Sequence, residues 1–230
     1  SPDELRDFAR RHLLAYQVRH VIRVPHAASR CGPECRHSDI YSESALYLLR
    51  DRTGNRLVLG KCAADAECRK RFPTLEKDFT ALAAKFNAGP VQGKARAYTR
   101  EDLSGYLMDT AYDDYGARHL PVDLANFVKG DFTALEALRA ERSPYFEGQH
   151  LTHLCKEEFP FEDRAKVADV GDDPIAALAV PSMTRYFEVC EAWAVGKPDP
   201  IDGQPQSSNV PTLFLAAEID PGCPPSFAKA

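Results

Sequence analysis

Three carboxylates and a set of cysteines carry most of the chemistry this sequence can offer. Asp220 follows the continuous apolar run Asn209-Val-Pro-Thr-Leu-Phe-Leu-Ala-Ala217 in the stretch Glu218-Ile-Asp-Pro221. A run without polar alternation is expected of a parallel strand covered on both faces. In open α/β sheets the C-terminal end of such a strand is where ligands and catalytic groups collect, which makes Asp220 the best-placed carboxylate. Its backbone N–H and C=O groups also demand partners, so another strand has to lie beside it. Glu157 and Glu158 stand side by side after Cys155-Lys156. By themselves they suit a solvated turn.

Of the seven cysteines, four form two close pairs, Cys31 with Cys35 and Cys62 with Cys68; Cys155, Cys190 and Cys223 are spread. The odd total leaves at least one thiol outside an intrachain bridge, and Cys223 near the end is our choice for it. A bridge between Cys62 and Cys68 stabilises by roughly 2 kcal/mol on chain-entropy grounds. Such bridges persist in oxidising compartments, which points to a secreted or periplasmic protein; reduced, partly buried thiols in a cytosolic chain are the alternative. At the first pair, His26, Cys31, Cys35 and His37 offer the thiolate and imidazole donors that tetrahedral zinc prefers. Structural zinc sites usually draw their ligands from two separated elements, so a local disulfide and no bond at all stand beside zinc as readings. No metal and no other cofactor is expected.

The elements that must position these groups are mostly helical. With 29 basic and 34 acidic residues among 230, a net charge of −5, 44% hydrophobic residues and a mean hydropathy of −0.39, the chain reads as one that can bury a substantial core. Interleaved charge argues against a nucleic-acid partner, and no stretch approaches the length of a membrane span. No signal-peptide pattern opens the sequence, so it reads as a mature chain or an excised piece. Residues 3–16 suit an amphipathic helix, Val18–Val24 a strand, and 25–42 a loop. In 42–59 the leucines suggest a helix that Thr53-Gly-Asn55 interrupts as a turn. Leu75, Phe79, Leu82 and Phe86 share one helical face, ended by Gly89-Pro90. Thr99-Arg-Glu-Asp102 reads as a variant capping box. Pro121 is expected to start a helix that Gly130 stops, and Asp131 to cap the next, with Phe132, Leu135 and Leu138. These stripes are core, and the helices form a bundle-like unit.

The run Val210–Pro225 resembles the α/β-hydrolase strand that delivers the acid of a catalytic triad. Within that fold the chain is most similar to the tripeptidyl aminopeptidase and proline iminopeptidase group of exported serine exopeptidases. Cys62-Ala-Ala-Asp-Ala-Glu-Cys68 before Phe72-Pro-Thr-Leu75, Cys155-Lys-Glu-Glu158 and Cys190-Glu-Ala-Trp193 fit the same group in order and spacing. The resemblance covers about residues 60–227. It implies an α/β fold, namely the mostly helical lid of a hydrolase with a few strands of its parallel sheet. Residues 1–41 would be core helix, strand and loop, 42–150 the lid, and 151–230 the return to the core. The lid would be inserted after the strand Val18–Val24, and Cys155 would pair with Cys190. Asp220 would be the triad acid, which fixes the imidazole tautomer and stabilises the imidazolium. Glu157 and Glu158 would help bind the free amino terminus of a peptide substrate, since a desolvated ammonium needs a charged acceptor.

The chain departs from that pattern at the other two triad positions. It has no Gly-x-Ser-x-Gly elbow, and Ser104, the one serine beside a glycine, falls at a predicted helix start. No histidine follows Asp220, and His150 and His153 precede it, so both read as ordinary polar residues. Losing nucleophile or base costs on the order of a million-fold. The chain alone is therefore expected to be inactive, with a flanking segment or complementary chain supplying Ser and His. The rival expectation is a non-catalytic helical module, derived from a lid, that binds peptides or partners.

Overall fold

The computed structural model describes residues 20–23, 54–111, 114–141, 147–200 and 213–216. The expected helix in 3–16, the loop through 25–42, His26, Cys31, Cys35, His37, Asp220 and Cys223 lie outside them.

The apolar repeat Leu75, Phe79, Leu82 and Phe86 forms the buried face of α3, whose range is Leu75–Ala88. Before it come α1 (Gly54–Ala64) and the short α2 (Ala66–Arg71), and after it a small antiparallel hairpin, β2 (Val91–Gln92) with β3 (Ala97–Tyr98). Three further helices follow: α4 (Arg100–Ala111), α5 (Asp114–Val128) and α6 (Thr133–Glu141). Leu103 and Leu107 from α4, Leu120, Leu124 and Phe127 from α5, and Leu135 from α6 pack with the α3 stripe into one core. Each such side chain taken from water contributes about 1.5–3 kcal/mol, so this bundle is held by burial. Phe132 anchors it by ring contacts with Phe86, Tyr98 and Phe127.

Local signals set the helix ends. The Thr99 backbone N–H donates to Asp102 Oδ2 at 2.9 Å and the Asp102 N–H returns a bond to Thr99 Oγ1 at 3.3 Å, the reciprocal pair of a capping box. Asp131 Oδ1 accepts from the Thr133 N–H at 3.1 Å and starts α6. Two expectations are corrected. Gly54 and Asn55 open α1 instead of interrupting a helix as a turn, because Asn55 is 2% exposed and its Nδ2 donates to the Leu107 carbonyl at 2.9 Å. Pro121 lies inside α5 rather than starting it. A helix-interior proline costs about 3 kcal/mol, and the fully buried Leu120 and Leu124 on either side of it offset that.

Beyond the body, α7 (Glu147–His153) runs into a π-helical turn (Leu154–Glu158) and a 3-10 turn (Phe159–Phe161), followed by α8 (Arg164–Ala168) and α9 (Val180–Trp193). Val167, Val170 and Ala176 make a small second core, while Ile175, Leu178 and Ala179 join the main one. Asp173 ties this segment down. Its carboxylate accepts the Ile175 N–H at 2.9 Å and pairs with Arg56, and Asn87 Nδ2 donates to the Pro174 carbonyl at 2.7 Å.

The terminal apolar run forms β4 (Leu213–Ala216), and its neighbour is β1 (His20–Arg23), with His20 opposite Ala216 and Arg23 opposite Leu213. The partner strand expected for this run is present, but the pairing is antiparallel, which corrects the expected parallel direction. Apolar continuity reports that both faces of a strand are covered and carries no information on direction. Among the described residues no parallel pair occurs, and the full α/β-hydrolase sheet is not shown.

Candidate functional site

The carboxylate pair sits on the π-helical turn. Pro160 cannot donate a backbone hydrogen bond, and just before it the Phe159 N–H reaches back five residues to the Leu154 carbonyl. A wide turn of this kind is frequent at functional sites. It buries Leu154, Cys155 and Phe159 together while leaving Lys156 and Glu157 exposed and Glu158 half-buried. The turn is fixed covalently, because Cys155 is bonded to Cys190 of α9 with the two Cα atoms 4.9 Å apart. Closing a loop with a sequence separation of 35 stabilises by roughly 4 kcal/mol on chain-entropy grounds. The second bridge, Cys62–Cys68, ties α1 to α2. Both bridges fit an oxidising compartment.

Around the turn the surface is aromatic and acidic. His153 Nε2 lies 3.1 Å from Glu157 Oε2, an i,i+4 pair in which Glu157 keeps 45% of its side-chain exposure, so solvent screens the contact. His150 meets the Tyr186 ring edge-on, and Phe159 packs against Tyr186 and Phe187 of α9. Trp193, 42% exposed, donates from Nε1 to Thr152 Oγ1 at 3.1 Å, linking the end of α9 back to α7. These rings and His153 are not visible as a group in the sequence. The one readable signal was the four-residue spacing of His153 and Glu157.

The other candidates are placed as follows. Ser104 is 3% exposed within α4, six residues after the end of β3, so it does not stand on a strand-to-helix nucleophile elbow. Asp220 lies beyond the described residues, four positions after the end of β4. Among the described residues no group of three or more His, Cys, Asp or Glu side chains is arranged to hold a metal ion.

Among the described residues, four groups of the helical body and its hairpin have perturbed protonation, and their partners serve packing. Burial pushes the Tyr106 phenol well above its ordinary range, helped by its 2.8 Å hydrogen bond to Asp123. Burial also raises Tyr98, with Glu136 adding to it. The Arg96 guanidinium is raised chiefly by its two bonds to the Asp102 carboxylate, at 2.7 and 3.0 Å, and also bonds Glu136 at 2.8 Å while lying over the Tyr98 ring. Asp131 is lowered by the bonds it accepts from Thr133, then by Lys94.

A family model described as TAP-like protein, of the α/β-hydrolase class, matches residues 177–230. The match takes in α9, Cys190, β4 and Asp220, and supports a hydrolase relationship for about the last quarter of the chain. No curated protein and no solved structure matches.

Proposed function

We propose that this chain is the lid and acid-strand portion of an exported serine exopeptidase that removes short peptides or single residues from peptide N-termini. In this reading Asp220 accepts the N–H of an imidazole, fixing its tautomer and stabilising the imidazolium formed as the serine is deprotonated. The serine oxygen attacks the scissile carbonyl, the amine leaves with the proton, and water then hydrolyses the ester. Serine and histidine come from flanking sequence or from a complementary chain. Glu157 and Glu158 accept the substrate's terminal ammonium, and Tyr186 and Trp193 of α9 contact Phe159 and Thr152 of the same segment.

The observation that supports this most is that the Cys155–Cys190 bridge joins the Glu-bearing turn to α9, within the stretch that matches the TAP-like family. That linkage holds the amine acceptors to the segment that ends in the acid strand. The test uses the natural gene product containing this sequence, assayed on aminoacyl- and tripeptidyl-anilides with free or acetylated N-termini. Turnover of free-amine substrates alone is expected, with Glu157→Gln or Glu158→Gln raising KM at least tenfold. No turnover from a product that contains both Ser and His, or equal turnover of acetylated substrates, contradicts it.

The buried helical core built mainly by α1, α3, α4, α5 and α6 favours a second reading, a lid-derived binding module without catalysis. That reading requires tight peptide or partner binding with no hydrolysis in any chain context.

A further inference from the structure

His153 and Glu157 form a unit of two. Their side chains meet at 3.1 Å, Nε2 to Oε2, across the start of the π-helical turn. Among the described residues neither side chain makes another bond or ion pair. Both are exposed, with 53% and 45% of the side chain accessible, so the contact adds little to folding. Its consequence is local, at the more accessible carboxylate of the Glu157–Glu158 pair. Glu158 is half-buried and has an interaction of its own, whereas Glu157 has Oε1 left to accept a further donor.

Histidine is the side chain whose ordinary titration falls between pH 5 and 8. An ordinary glutamate is ionised above about pH 5.5, and a peptide's α-amino group keeps its proton until about pH 8. Between about pH 5.5 and 7, then, the imidazole is the group in direct contact with Glu157 whose charge changes. A neutral imidazole leaves the carboxylate its charge, to be met by an ammonium. An imidazolium at 3.1 Å cancels that charge and repels an arriving cation. The remaining charged groups stand further off. His150, the other imidazole on this helix, meets the Tyr186 ring and bonds neither member, and Lys156 is exposed beside Glu157. From α9, which packs against the turn, Arg185, Glu188 and Glu191 are exposed and bond neither.

We propose that His153 is a positioning residue that sets the charge of the amine acceptor, so that Glu157 takes a substrate ammonium at neutral pH and loses it in acid. The inference rests on the reading of Glu157 as that acceptor. It adds an acid limb to amine recognition that belongs to His153, beside an alkaline limb that belongs to the substrate's own amino group. Free-amine substrates are then held best in a window around pH 7 to 8.

The test measures kcat and KM of the natural gene product on tripeptidyl-anilides, with free and acetylated N-termini, at about pH 5.5 and pH 7. For the free-amine substrate KM should be about threefold higher at the acid pH, within the range of exposed ion pairs, and raised salt should shrink the step. His153→Gln should abolish the step, and His153→Lys, with its fixed cation, should hold KM at the parent's acid value at both pH values. The fall of kcat in acid follows the triad base and remains in every variant, which separates the two imidazoles. Position 153 is exposed, so circular dichroism is expected to show an unchanged fold. A KM step that is absent from the parent or persists in His153→Gln, with acetylated substrates still rejected, overturns this inference and leaves the exopeptidase reading standing. No turnover, or equal turnover of acetylated substrates, overturns both.

Discussion

Helices α3 and α9 have 14 residues each, but α3 buries five side chains and α9 none completely. In the body, burial does most to order the helices, and charged groups such as Arg96 with Asp102 and Glu136 fasten the hairpin to the outside. In the segment bearing Glu157, order comes from a disulfide, ring contacts of Phe159 with Tyr186 and Phe187, the Trp193–Thr152 bond and a core of only three buried residues. The body is a finished core. The segment is a surface pinned in place, which suits groups that must stay accessible to a ligand.

The comparison breaks if equal truncations cost the same in both regions. Phe79→Ala, at a fully buried ring, should destabilise by about 3–5 kcal/mol, whereas Phe187→Ala on half-buried α9 should cost a fraction of that; chemical denaturation of the two variants measures both. Next in size, Cys155→Ser with Cys190→Ser should cost about 2–4 kcal/mol. Hydrogen exchange is expected to rise through 147–193 while α3 and α4 stay protected. Uniform loss of protection would mean that the two regions are one cooperative unit.

A pH series sharpens the account of the body. The folded Tyr106 phenol holds its proton to higher pH than the unfolded chain does. Its contribution is therefore complete below the ordinary tyrosine value of about 10 and is lost as pH rises above it, because the unfolded state ionises first. Tyr106→Phe should flatten stability against pH in that alkaline range. The smallest effect belongs to the end of α9, where Ala194 adopts φ 50° and ψ 46°. A left-handed non-glycine residue is strained, so Ala194→Gly should stabilise by about 1 kcal/mol in thermal unfolding.

What the sequence disclosed divides along the same line. The Leu75-to-Phe86 stripe, the Thr99–Asp102 box and the Asp131 cap were legible because each is a local rule, with partners within one or two turns. Asn55 and Pro121 misled because tertiary partners outvoted them, a Leu107 carbonyl for one and flanking buried leucines for the other. The direction of β4 was not legible, since it depends on the path of the chain between residues 23 and 213. The carboxylate pair is singled out by resemblance alone, and its π-helical setting and aromatic neighbours are not legible. Those arise from Pro160 and from α9, which approaches from 30 or so residues away, a separation no local pattern spans.

The central claim is that this chain lends a carboxylate to a serine hydrolase, and turnover by an Asp220→Asn variant of the natural gene product tests it most directly. The account predicts that tripeptidyl-anilide hydrolysis falls by about ten-thousand-fold in kcat, with thermal stability unchanged. Activity within a few-fold of the parent protein would contradict it.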